Sequence, residues 1–113
     1  MVRQIVFYKN YFADFFEQQN EKVQLKIDFV LDMIANLERV PEKFLKHLEG
    51  TEGLYEIRVE QGSNIFRIFC CFDKGKLVVL FNAFQKKTDK TPRKEIEKAE
   101  LLRRTYFSEK DGK

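Results

Sequence analysis

Leu54-Tyr55-Glu56-Ile57-Arg58-Val59-Glu60 is followed by Gln61-Gly62-Ser63-Asn64, then by Ile65-Phe66-Arg67-Ile68-Phe69-Cys70-Cys71-Phe72, Asp73-Lys74-Gly75-Lys76 and Leu77-Val78-Val79-Leu80-Phe81-Asn82-Ala83-Phe84. In the first run Tyr55, Ile57 and Val59 alternate with Glu56, Arg58 and Glu60, the period of two of a strand with one buried face. The second run is apolar on both faces except for Arg67, which fits a central strand. The third is again continuous and apolar. Short Gly-containing turns join the three, so they are expected to pair as an antiparallel meander.

Upstream, residues 3–8 are rich in β-branched and aromatic side chains and read as a short strand. Tyr11, Phe12, Phe15 and Phe16 recur at helical spacing over residues 10–18, with Asn10 placed to cap. Val23, Ile27, Val30, Leu31, Ile34 and Leu37 step by three and four, with charged residues between them. This predicts an amphipathic helix over 20–38. Pro41 ends it, and Phe44, Leu45 and Leu48 suit one further helical turn. Downstream, Thr91-Pro92 opens a last helix, with Thr at the cap, Pro at the first position and Glu95 and Glu97 near the positive end of the dipole. The order is β-α-α-β-β-β-α: an α+β domain with helices packed on one face of a small, mostly antiparallel sheet. One domain is expected over residues 1–107, with a flexible tail over 108–113.

The chain has 113 residues, 43% of them hydrophobic, with 12 Phe and no Trp. That is enough for one core and too little for two. No apolar run approaches the roughly 20 residues of a membrane span, and the N-terminus lacks the apolar stretch of a signal peptide. A cytoplasmic protein is expected. Cys70 and Cys71 are neighbours and suit free thiols better than a bridge. With those two and the single His47, a zinc site of the usual Cys/His kind lacks ligands. His47 itself suits a surface position. There is no glycine-rich phosphate loop, dinucleotide fingerprint or nucleophile elbow.

What stands out is positive charge. Net charge is +3, but residues 1–53 hold 7 Lys/Arg against 9 Asp/Glu, and residues 86–104 hold 8 against 4. The imbalance suits a polyanion partner, or simply a solvated helix face. Arg67 is sharper evidence. A guanidinium in an apolar strand is unfavourable unless it meets an anion or a cleft. A turn centred on Gly62-Ser63 sets Arg58 opposite Arg67, and like charges so placed repel. Either a bound anion sits between them, or Glu56 or Glu60 pairs with them. Lys86, Lys87 and Lys90 follow the third strand, just before a helix N-terminus. Together these residues describe a cationic patch suited to an RNA backbone. The aromatic residues Phe66, Phe69, Phe72, Phe81 and Phe84 are read as packing.

The run 54–59, then 65–69, 78–80, the stretch Phe84-Gln85-Lys86-Lys87-Thr88-Asp89-Lys90-Thr91-Pro92 and Glu95-Ile96-Glu97-Lys98-Ala99 resembles the RelE/HigB superfamily of bacterial toxins. It looks closest to the phage-derived HigB-like branch. The resemblance implies a RelE/microbial-RNase-like sheet with two N-terminal helices on it. It implies a type II toxin that cleaves messenger RNA without a metal or cofactor, typically on the ribosome, and a HigA-like helix-turn-helix antitoxin. By position, Arg58 and Arg67 match the basic positions of the second and third strands, and Lys86 and Lys87 the basic pair closing the fourth. These four are the expected catalytic residues, with Lys90, Arg93 and Lys94 contacting RNA. Arginine does not readily exchange protons, so Lys86 or Lys87 is the expected acid or base, and only one of two consecutive strand residues can face the cleft. Superfamily nucleases often place a Tyr or His near the C-terminal helix. Here there is no His, and Tyr106 lies far along. A ParE-like gyrase-binding toxin and a non-catalytic antitoxin or DNA-complex binding protein are the alternative functions on this fold.

Overall fold

A computed structural model describes residues 1–111. Its elements are β1 (Gln4–Phe7), α1 (Tyr11–Glu17), α2 (Glu21–Asn36), β2 (Leu45–His47), β3 (Tyr55–Gln61), β4 (Asn64–Asp73), β5 (Leu77–Lys86) and α3 (Arg93–Asp111). The five strands form one sheet in the order β1-β5-β4-β3-β2. β1 runs parallel to β5, and the other three pairings are antiparallel. The meander of β3, β4 and β5 is as the alternation predicts. Gly62 and Gly75 turn it with φ of +62° and +80°, which a residue without Cβ adopts freely.

Alternation sorts the sheet's side chains to two faces. Ile57, Val59, Phe66, Ile68, Cys70, Val78 and Leu80 meet Phe12, Val23, Ile27, Val30 and Ile34 of α1 and α2. Phe69, Cys71, Val79 and Phe81 meet Ala99 and Leu102 of α3. The helices therefore cover both faces, not one as expected. The doubly apolar β4 foreshadowed this, because a strand buried on both sides needs a cover on each. Both cysteines are buried free thiols, one on each face.

One irregularity shapes the site. Ile68 pairs with Ala83 but Cys70 with Leu80, so Phe81 and Asn82 together oppose Phe69. This β-bulge inserts one extra residue into β5 and shifts its alternation. Phe81 and Phe84 consequently both serve the α3 face, and Asn82 reaches α3 by donating from Nδ2 to the Glu95 carbonyl at 3.1 Å and to Glu95 Oε1 at 3.0 Å.

Three expectations change. The turn expected over Phe44, Leu45 and Leu48 is helical only where Phe44 and Leu45 donate to the Pro41 carbonyl; Leu45–His47 then pairs with β3 as an edge strand. The backbone groups of β3 need partners on that side, and tertiary demand overrides a weak helical pattern. β5 continues to Lys86, two residues past Phe84. The tail expected from Ser108 is helical through Asp111, because Lys110 pairs with Asp73 at 2.6 Å and Glu109 accepts from Tyr8 at 3.0 Å. Residues 112 and 113 of that expected tail lie outside the described residues.

Candidate cationic nucleic-acid site

β3 and β4 pair in the register the turn predicts: Arg58 stands directly opposite Arg67. Phe84 opposes Arg67 from β5, and Lys86, two residues on, falls on the same face. The site is thus built on three adjacent strands of the α3 face, at the end of the sheet near the N-terminus of α3. Lys86 is half-buried, whereas Lys87 lies beyond the strand and is exposed. The register sets Lys86, not Lys87, on the sheet face of the two arginines.

The carboxylate that answers them is Glu56, two residues before Arg58 on the same strand face. Its Oε1 lies 3.5 Å from Arg58 Nε and 3.8 Å from Arg67 Nε. Its other oxygen accepts the Thr91 hydroxyl at 3.1 Å. Glu56 and Arg67 are buried, at 4% and 6% exposure. The pairing is loose: neither distance is a good hydrogen bond, and Nε of both arginines is buried without a partner among the described residues. Arg67 donates from Nη1 to the neighbouring Phe66 carbonyl at 3.1 Å. Burial pushes its pKa below the ordinary value; Glu56 and Glu60 pull it back up, and Arg58 pushes it down further. Two guanidiniums thus share one carboxylate, which leaves positive charge in a partly dehydrated setting.

Thr91 does not cap α3 with its side chain, as expected from sequence. Its hydroxyl is committed to Glu56, and the Pro92 carbonyl accepts from Glu95 and Ile96 instead. This ties the 87–92 loop to the arginine pair. Beside it runs a groove of about 880 Å³ of mixed charge, in which Lys90 and Arg93 stand among Glu49, Glu97 and Glu100, with Gly50, Thr51, Thr88 and Thr91 also lining it. Arg103 Nη2, 2.7 Å from Glu52 Oε1, anchors the 48–53 loop to α3. Arg93 is exposed with Glu97 at 4.0 Å, and Lys94 is exposed in the first turn without lining the groove. The groove was not legible in the sequence; the paired glycines at 50 and 53 were the only signal that the chain turns there.

Tyr106 is elsewhere. Its hydroxyl donates to Asp73 Oδ2 at 2.7 Å. Asp73 is six residues along β4 from Arg67, about 20 Å at the rise of an extended strand. The C-terminal helix therefore supplies no tyrosine to the arginine pair. His47 is exposed on β2, edge-on to Tyr55 at 5.2 Å. Among the described residues no group of three or more His, Cys, Asp and Glu is placed to hold a metal ion, and no helix is long and apolar enough to cross a membrane.

The model of one protein family, "Phage derived protein Gp49-like", matches residues 14–104. The match runs from within α1 to within α3 and takes in all seven candidate site residues. The chain belongs to the Gp49-like family. Gp49-like proteins are RelE/HigB-like toxins of toxin–antitoxin systems. Among curated proteins, none matches the chain significantly. In this Gp49-like chain the two N-terminal helices, the mixed sheet and the C-terminal helix have the RelE-like arrangement.

Proposed function

We propose that this Gp49-like protein is the toxin of a type II toxin–antitoxin system and acts as a metal-independent endoribonuclease on messenger RNA, probed best on the ribosome. The observation that carries this reading is the directly opposed pair Arg58 and Arg67, with Lys86 on the same face and a single, loosely held carboxylate between them. A phosphodiester offers oxygens to the guanidinium pair, whose Nε groups are buried and poorly paired within the protein. Bidentate guanidinium contacts suit phosphate and strengthen as charge develops on a phosphorane.

Cleavage requires the ribose 2′-oxygen to attack the adjacent phosphorus while the bond to the 5′-oxygen breaks. A base takes the 2′-hydroxyl proton, and an acid returns one to the leaving oxygen. In this assignment Arg58 and Arg67 hold the non-bridging oxygens, solvent water takes the 2′-hydroxyl proton, and the Lys86 ammonium gives its proton to the leaving 5′-oxygen. Glu56 keeps the two guanidiniums aimed and is a positioning residue. Lys90 and Arg93, along the groove, meet phosphates flanking the scissile one. Lys87 and Lys94, both exposed, contribute to long-range attraction of RNA.

The test is induced expression in a bacterium of wild type beside Arg67→Ala, followed by primer extension on an abundant messenger RNA. Cuts inside translated codons that vanish in the variant are the expected result. Growth arrest with no cuts would overturn the nuclease reading and point to a gyrase-type target. No arrest at all would leave a binding protein.

A further inference from the structure

Beyond the arginine pair, the most unusual surface is one flank of α2. Lys22, Leu25, Lys26 and Phe29 recur at i, i+3, i+4 and i+7 and so form a single stripe over two turns. The stripe is not the core stripe, which is Val23, Ile27, Val30 and Ile34. Leu25 is 62% exposed and Phe29 54% exposed. With Gln61 of β3 these four residues line one shallow cleft. Lys26 also lines a second cleft, of about 210 Å³, with Lys43, Phe44, Arg58, Glu60 and Gly62. A continuous track therefore leads from an exposed apolar pair on α2, past Lys26 and Lys43, to Arg58. Four cations border it, against one carboxylate.

We propose that this track seats an acidic amphipathic helix of the antitoxin, which packs apolar side chains on Leu25 and Phe29 and carries carboxylates over Lys26 and Lys43 toward Arg58. Docking so placed runs along the α2 face and the β3 edge and meets the arginine pair only at Arg58, the more exposed of the two; as a means of restraining the toxin it rests on the reading of that pair as the active site. The chemistry of the track selects the occupant. Two apolar side chains one turn apart accept the ridge of another helix. The surrounding lysines favour acidic flanks on that helix and speed encounter. A second copy of this chain, meeting the same patch across a two-fold axis, would set Lys22 and Lys26 against their own kind. RNA would satisfy the lysines but has no use for an exposed leucine.

The experiment uses the purified full chain and the antitoxin that relieves its growth arrest. Binding is measured by calorimetry for wild type, Leu25→Glu/Phe29→Glu and the uncharged Leu25→Ser/Phe29→Ser. Both sites are exposed, so thermal melting of each variant is expected to match wild type. Binding is expected to weaken about 30-fold or more, the scale of losing interface hot spots, and further for the Glu pair than the Ser pair. Growth arrest by both variants is expected to persist and to escape the antitoxin. Unchanged antitoxin affinity would overturn the proposal. So would wild-type dimers in sedimentation that either variant dissolves, or RNA affinity that falls with both variants. If wild type cleaves no RNA yet calorimetry shows the loss, the docking surface stands and only the nuclease reading fails.

Discussion

Two buried charges on the α3 face of β4 meet opposite fates. Asp73, 5% exposed, receives Lys110 Nζ at 2.6 Å and the Tyr106 hydroxyl at 2.7 Å. Arg67, 6% exposed, has its nearest carboxylate oxygen at 3.8 Å, an unpartnered Nε, and another arginine opposite. Both ends sit under the same helix on the same strand. Asp73 lies where the C-terminal part of α3 provides partners, and its pKa falls below the usual range, chiefly through the bond from Lys110 and then that from Tyr106. Arg67 lies where, among the described residues, two guanidiniums share the one carboxylate within 4 Å. A satisfied buried charge pins a helix end, whereas an under-satisfied one is a place where a protein departs from its own stability rules, the usual mark of a working site.

The contrast can be broken most forcefully at Arg67. Arg67→Ala is expected to lower the RNA cleavage rate about 100- to 1,000-fold, as loss of a transition-state charge contact does, while the urea midpoint stays level or rises, since a poorly paired buried cation is gone. A variant that cleaves normally and melts early would make Arg67 structural. Next in size is the lysine comparison. Lys86→Ala should cost about 100-fold in single-turnover cleavage, the scale of general acid–base help, and Lys87→Ala less than threefold. Equal losses would mean that both act only as diffuse charge.

At the other end the signs reverse. Asp73→Ala should lower unfolding free energy by about 2 kcal/mol in urea titration, because an exposed Lys110 and a half-buried phenol lose their buried acceptor, with cleavage unchanged. The smallest effect is one of pH. A depressed carboxylate pKa adds stability that is present above the unfolded value, near 4, and is lost as pH falls through the folded value. Tyr106, pushed up to about 12 by burial and then by its bond to Asp73, adds stability that is present below pH 10 and lost as pH rises toward 12. Melting curves of wild type and Asp73→Asn should therefore converge at the acidic end and stay apart at neutral pH. Parallel profiles would remove Asp73 from the account.

Much of this was written in local pattern. The period of two over Tyr55–Glu60, the stepping by three and four from Val23 to Leu37, and the Gly62 and Gly75 turns identify the meander and its long helix without any tertiary knowledge. Turn geometry alone placed Arg58 against Arg67, because a tight hairpin leaves one register. Other features depend on residues far apart in the chain. Leu45–His47 became a strand because β3 had an edge to pair. Ser108–Asp111 became helix because Asp73 and Tyr8 were waiting for it. That Lys86 rather than Lys87 shares the face of the arginines follows from where β5 ends. The second helical face, the bulge at Phe81 and Asn82, the Thr91 tether to Glu56 and the sharing of that one carboxylate by two arginines were decided only when strands and helices met. Periodicity and turn chemistry act over a few residues and are legible there; the partner of a buried charge is set by packing, which no local pattern records.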